Sequence, residues 1–98
     1  MLLRYGMHCE QLIHDDVEFR RFVIALNGMD GVRNPTQIYV STTEIMETVQ
    51  EAHLSLDSYL KALQEDGYAR VNPAIGGVAV FPRINQLARA AKKAESGT

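Results

Sequence analysis

Residues 39–81 limit the possible folds more than any other stretch, because strand-like and helix-like patterns alternate there at short intervals. The β-branched and aromatic residues at positions 37–40 predict a short strand, with Ile38 and Val40 facing one way. Ser41 and Glu44 follow at the spacing of a capping box, which predicts a short helix ending near residue 50. We expect this helix to be packed against neighbours, since isolated helices below about 12 residues are marginal.

A second helix is predicted to start between residues 52 and 55, after a turn, and to end at Gly67. Its apolar residues recur at helical spacing and are expected to face inward: Leu56, Tyr59, Leu60 and Leu63. Two strand-like runs, 68–71 and 78–81, flank a loop that contains Gly76-Gly77 and therefore predict a β-hairpin. In the helix that starts after Ser41, the buried side is expected to be formed by Ile45, Met46 and Val49.

Two further helices are predicted on either side of this region. The first begins at Asp15, which lies three residues before Glu18, and runs to about Asn27, before loop signals that include Asp30-Gly31. Arg20 and Arg21 are expected on its solvent side, opposite an apolar stripe of Phe19, Phe22, Val23 and Leu26. The second opens at Pro82, with a narrow stripe of Ile84, Leu87, Ala88 and Ala91.

Length and composition predict one domain over residues 1–98, with an N-terminal arm at 1–14, a core at 15–94 and a frayed tail at 95–98. The expected class is α+β, mostly helical with a short strand and a hairpin. The lack of a long apolar run or a signal-like start predicts a cytoplasmic chain with no membrane partner. His8, Cys9 and His14 lie close in sequence, but the single cysteine completes no familiar ligand pattern, so no metal and no cofactor is expected.

Charge is distributed unevenly along the chain. Residues 1–66 carry five basic and eleven acidic side chains, whereas residues 67–98 carry five basic and one acidic. Because phosphate binding depends on Lys and Arg displacing counterions, a polyanion is expected to meet the C-terminal third.

Residues 34–81 resemble the winged helix-turn-helix of bacterial transcription regulators and of replication initiators from small plasmids. The similar segments are 37–45, 59–68 and 76–80, which match a strand with the first helix, the end of the recognition helix, and the returning wing strand. The resemblance implies a single winged helix-turn-helix domain that reads duplex DNA with the helix near 53–66 and the wing at 69–81. The implied DNA-contacting residues are His53, Ser55, Asp57, Ser58, Lys61 and Arg70, and phosphate contacts are expected from Arg83, Arg89, Lys92 and Lys93.

The resulting expectation is a small double-stranded DNA-binding protein, either a transcriptional regulator or an accessory of plasmid or phage replication, acting as a homodimer. The alternative is a winged helix that binds a protein partner and not DNA. It is favoured by the acidic residues of the two central helices, which would repel phosphates: Glu44, Glu47, Glu51, Asp57, Glu65 and Asp66. No glycine-rich phosphate loop and no nucleophile with a base in motif context occur, so an enzyme is not expected.

Overall fold

The computed structural model describes residues 8–33, 39–48 and 56–96 as an α+β domain. In chain order its elements are helices α1 (His8–Asp15), α2 (Val17–Gly28) and α3 (Asp30–Arg33), strand β1 (Val40–Ser41), helices α4 (Thr42–Thr48) and α5 (Leu56–Glu65), strands β2 (Ala69–Asn72) and β3 (Gly77–Val80), and helix α6 (Ile84–Ser96). The sequence-based expectation of an α+β fold is confirmed. None of the helices in the described ranges is both long and apolar enough to span a membrane.

The three strands form one antiparallel sheet in the order β1-β3-β2. Val40 pairs with Val78, and Val71 pairs with Val78 on the other side, so these three side chains share the face that packs on the helices. The hairpin predicted between β2 and β3 is confirmed, with Arg70 opposite Ala79 and a turn at residues 73–76.

The hairpin turn is tied to the start of α4. The Gly76 carbonyl accepts hydrogen bonds from the Thr42 backbone N–H at 2.9 Å and from the Thr42 hydroxyl at 3.2 Å. Gly76 has a φ of +61°, which a residue with a side chain adopts only with strain. A Cβ at Gly77 would lie 2.9 Å from Tyr39 Cβ, so this position must stay bare for β1 and β3 to approach.

Helices α1, α2 and α6 form one layer. Asn27 lies near Asn85 at one end of the α2–α6 pair, and Arg20 lies near Glu95 at the other, so these two helices are antiparallel. The predicted stripe of α2 is confirmed, since Phe19, Phe22, Val23 and Leu26 are completely buried. The predicted stripe of α6 is confirmed as well, since all four of its residues are buried. Tyr59 of α5 packs edge-on against Phe19 with ring centroids 5.0 Å apart, which joins α5 to this layer.

Helix α1 was not predicted, although it lies mostly within the segment expected as an arm. Its Cys9 and Ile13 are completely buried, while His8 and His14 are exposed. Both of its ends are satisfied by charged groups from outside the helix. The Asp66 carboxylate accepts from the Cys9 backbone N–H at 2.6 Å, and Arg20 Nε donates to the Ile13 carbonyl at 2.8 Å. A carboxylate at the N-terminus and a guanidinium at the C-terminus also complement the helix dipole.

Several local predictions for the N-terminal half were wrong. The cap of α2 is Asp16 and not Asp15, because α1 continues through Asp15; Asp16 Oδ1 accepts from the Phe19 backbone N–H at 3.1 Å. Arg20 is buried instead of facing solvent, since its guanidinium is used at the end of α1. The loop predicted at Asp30-Gly31 is the short helix α3.

Other corrections concern α4 and α6. The capping bond of α4 is confirmed, with the Glu44 backbone N–H donating to the Ser41 hydroxyl at 3.0 Å, and Ile45 is buried. Met46, however, is 43% exposed, because neighbouring residues of a helix point about 100° apart and Ile45 is the residue that faces inward. Helix α6 continues through Ser96, into the predicted tail. The predictions for Ile38, Val49 and the turn at 50–54 lie outside the described residues.

Candidate functional site

Helix α5 presents a polar outer face beside the hairpin. Its predicted inward residues are buried, whereas Asp57, Ser58, Lys61 and Glu65 are exposed. Asp57, Lys61 and Glu65 recur every four residues, and Ser58 lies three residues before Lys61, so the four form one continuous strip, which we call the α5 outer strip. His53 and Ser55, also predicted to contact DNA, lie outside the described residues.

The end of α5 is held by hydrogen bonds that the sequence predicts in part. Gly67, with a φ of +81°, allows the Tyr68 backbone N–H to reach back to the Leu63 carbonyl at 2.8 Å, as expected for a helix stopped by glycine. Gln64 Oε1 accepts from the Val71 backbone N–H at 2.7 Å, so the outer edge of β2 is tied to α5. The α5 outer strip and the hairpin therefore keep a defined relative position.

Arg70 and the turn form the exposed part of the hairpin. The Arg70 side chain is exposed on β2, on the sheet face that also carries Ala79. Within the turn, Asn72 Oδ1 accepts from the Ala74 backbone N–H at 3.2 Å, and Ile75 is 61% exposed. The turn offers backbone groups and one large apolar side chain to a partner, while the cation of the hairpin, Arg70, lies two positions before the end of β2.

Arg83 has a structural role in addition to the predicted phosphate contact. Its Nη1 donates to the Asp66 carbonyl at 2.5 Å, and its guanidinium carbon lies 4.4 Å from the centre of the Tyr68 ring. Burial raises the pKa of the Tyr68 hydroxyl, although the Arg83 charge opposes this effect. Arg83 thus connects the end of α5 to the start of α6, and part of its donor capacity is already used.

The other predicted phosphate contacts lie together on α6. Arg89, Lys92 and Lys93 are exposed on the side of the helix opposite Ile84, Leu87, Ala88 and Ala91. Among the residues that the structure describes, no ion pair involves any of these three cations. The structure thus brings Asp57, Ser58 and Lys61 together on α5, and Arg89, Lys92 and Lys93 together on α6.

Asp66 does not belong to the acidic surface predicted over the two central helices. It is buried, and its carboxylate caps α1. Glu44, Glu47, Asp57 and Glu65 are exposed, and Glu51 lies outside the described residues. The acidic surface is therefore smaller than the sequence suggested, because one carboxylate is used internally.

The region of the three possible metal ligands contains a buried thiol. Cys9 is completely buried, whereas the imidazoles of His8 and His14 are exposed. Burial, and secondarily the hydrogen bond with Asp66, raises the pKa of the Cys9 thiol far above its usual range. Within the described ranges no group of three or more His, Cys, Asp or Glu side chains could hold a metal ion.

Comparison of this chain with protein-family models, with curated proteins and with solved structures found no match.

Proposed function

We propose that this chain is a winged helix-turn-helix domain that binds double-stranded DNA, as a transcriptional regulator or an accessory of plasmid or phage replication. The observation that supports this best is the order of parts around the sheet. Strand β1 leads into α4, α5 leads into the hairpin of β2 and β3, and the strands lie in the order β1-β3-β2. This arrangement leaves the outer side of α5 exposed next to Arg70 and the exposed turn of the hairpin.

The α5 outer strip and the hairpin supply groups suited to duplex DNA. The Ser58 hydroxyl and the Lys61 ammonium can donate to base edges or phosphates from a helix in the major groove, and Arg70 can contact the backbone beside it. A single reading head of this size covers a short site, so we propose that two copies bind as a homodimer to related half-sites.

A second proposal, a protein-interaction module, is favoured by the charge of α4 and α5. Asp57 and Glu65 outnumber Lys61 on the α5 outer strip, and Glu44 and Glu47 are exposed on α4. Asp30 lines a groove of about 410 Å³ together with these two glutamates of α4. Such a surface would repel phosphates and suits a basic segment of a partner protein.

A titration of the purified protein against a short fluorescent duplex of mixed sequence tests the first proposal. We expect binding at about 50 mM salt that weakens linearly in a plot of log K against log salt concentration. Selection from a random duplex library should then yield a preferred sequence that changes in the Ser58→Ala variant, because the hydroxyl would no longer contact a base. A mass measurement in the same buffer tests the homodimer.

The two proposals differ in one outcome. If no duplex binds at about 50 mM salt, the DNA-binding proposal fails, since electrostatic contacts are strongest at low salt. The protein-interaction proposal would then be tested with Glu47→Lys, which should abolish binding to a basic peptide array, and with Glu10→Lys on α1 as a control of equal charge change.

A further inference from the structure

The outward side of α6 differs in charge from the rest of the surface. Its exposed side chains are Asn85, Gln86, Arg89, Ala90, Lys92, Lys93 and Ser96. Three of these seven are cations and none is acidic or large and apolar. We call the Arg89, Lys92 and Lys93 group the α6 cationic face.

The single acidic residue of α6 is turned away from this face. Glu95 Oε1 lies 3.7 Å from Arg20 Nη1 and 3.6 Å from Arg21 Nε, both on α2. The Glu95 side chain is only 33% exposed, because it packs between α6 and α2. Glu95 therefore pairs with arginines of α2 and does not neutralise the cations of α6.

The helix dipole does not account for the α6 cationic face. Cations are favoured within the last turn of a helix, and Lys93 is the basic residue of that turn. Arg89 and Lys92 lie before it, so the dipole gives no reason for their charge. Arg89 is separated from Lys92 and Lys93 by about 5–6 Å on the helix surface, a spacing that lets them contact neighbouring phosphates of one strand.

The α5 outer strip would bind phosphates poorly on its own. With Asp57 and Glu65 against Lys61, its formal charge is negative, whereas the α6 cationic face is positive. Moreover, α6 packs mainly on α1 and α2, while α5 packs mainly on β2. The two surfaces therefore lie on helices that pack against different elements.

We propose that the α6 cationic face binds the sugar-phosphate backbone of duplex DNA through phosphate contacts alone and supplies most of the electrostatic affinity. This inference rests on the proposed function and deepens it, because it assigns most of the electrostatic affinity to three of the residues expected to contact phosphates and little of it to α5. It also explains how a domain with an acidic α5 outer strip holds a polyanion: α5 reads bases, and α6 provides the attraction.

The chemistry of the α6 surface favours DNA over two other acidic partners. An anionic membrane surface is bound by helices that insert Trp, Phe or Leu beside their cations, and the outward side of α6 has no such residue. Stable protein interfaces are centred on buried aromatic or aliphatic anchors, which this side also lacks. A phosphate backbone needs only exposed cations and hydrogen-bond donors.

The test compares single neutralisations, measured as duplex affinity over a range of salt concentrations. Each of Arg89→Gln, Lys92→Gln and Lys93→Gln should lower the magnitude of the log–log slope by about 0.9, and the triple variant by about 2.7. Arg33→Gln is the matched control, because Arg33 is exposed on α3 and the same charge is lost outside the α6 cationic face. Arg33 lines a groove with Ile84 and Asn85 at the start of α6, and Lys92 and Lys93 lie in the other half of the helix. It should leave the slope unchanged.

The outcomes distinguish the role of α6 from the proposed DNA binding itself. A triple variant that keeps the wild-type slope, or an Arg33→Gln slope that falls as far as that of the α6 variants, overturns the role of α6 and leaves DNA binding intact. A triple variant that loses the expected slope, combined with a sequence preference unaffected by Ser58→Ala, supports α6 and removes base reading by Ser58. Wild-type protein that ignores duplex DNA at about 50 mM salt overturns both.

Discussion

Helices α5 and α6 are attached to the molecule in different ways. Most of the residues that α5 buries are large, including Tyr59, Leu60 and Leu63, whereas two of the four that α6 buries, Ala88 and Ala91, are small. Large side chains hold α5 by the volume that they fill, and small ones let the backbone of α6 lie close to α2. The difference teaches that the same apolar stripe at helical spacing can mean filling a core or permitting close approach. The first two predictions below separate these cases, and the other two concern the helix ends and the contact of α1 with α5.

The largest effect is expected from Tyr59→Ala. This change removes the ring that contacts Phe19 and Phe22, at centroid distances of 5.0 and 5.4 Å, and leaves a cavity under α5. We expect a loss of about 3–5 kcal/mol of unfolding free energy in urea titrations. Tyr59→Phe is the control, because it keeps the ring and removes the hydroxyl that donates to Asp16 Oδ2 at 2.9 Å, for about 1.5–3 kcal/mol. Equal losses in the two variants would contradict anchoring by volume.

On α6 the opposite change, from small to large, should be harmful. Ala91→Leu adds volume at a completely buried position against α2, and we expect a loss of about 1–3 kcal/mol in the same titrations. Ala90→Leu, one residue earlier and exposed, should change stability by no more than about 0.5 kcal/mol. If Ala91→Leu is tolerated as well as Ala90→Leu, α6 is not held by close approach.

The end of α5 depends on a glycine, whereas the end of α2 does not. Gly67 has a φ of +81°, and an added Cβ would also lie 3.1 Å from Arg83 Nη1, so Gly67→Ala should cost about 1–2 kcal/mol. Gly28 is helical, with no atom within 4 Å of an added Cβ, and Gly28→Ala should stabilise by about 0.4–1 kcal/mol. Thermal unfolding of both variants measures the contrast, and a destabilised Gly28→Ala would contradict it.

The smallest effect concerns pH and the contact between α1 and the end of α5. Because the pKa of Cys9 is raised in the folded state, the unfolded chain releases this proton first as pH rises above about 8.5. The stabilisation is complete below that pH and is lost above it, by at most about 1.4 kcal/mol per pH unit. Urea titrations between about pH 8 and 9.5, below the ordinary pKa of tyrosine, should show this slope.

Cys9→Ala is the control for the pH effect. It should lower stability at every pH through the lost volume at a completely buried site, and it should flatten the slope. A slope that persists in this variant would assign the pH dependence to another group.

The features predicted correctly from sequence are those whose partners lie within a few residues. The Ser41–Glu44 capping bond and the glycine stop at Gly67 each join residues three to five positions apart, so the pattern contains both partners. The buried stripes of α2, α5 and α6 follow from helical periodicity alone. The same periodicity placed Ser58 and Lys61 on the exposed side of α5, and Arg89, Lys92 and Lys93 on that of α6.

Tertiary structure alone decided where the charged side chains of the core would go. Helix α1 is capped by Asp66, which lies 57 positions after Cys9. No local sequence pattern therefore predicted the helix or the burial of that carboxylate. Likewise, Arg20 is buried because the end of α1 lies beside it, and Glu95 turns toward α2 because Arg20 and Arg21 are there. A charged group is buried only where a distant partner compensates its lost hydration, and that partner is known only once the chain has folded.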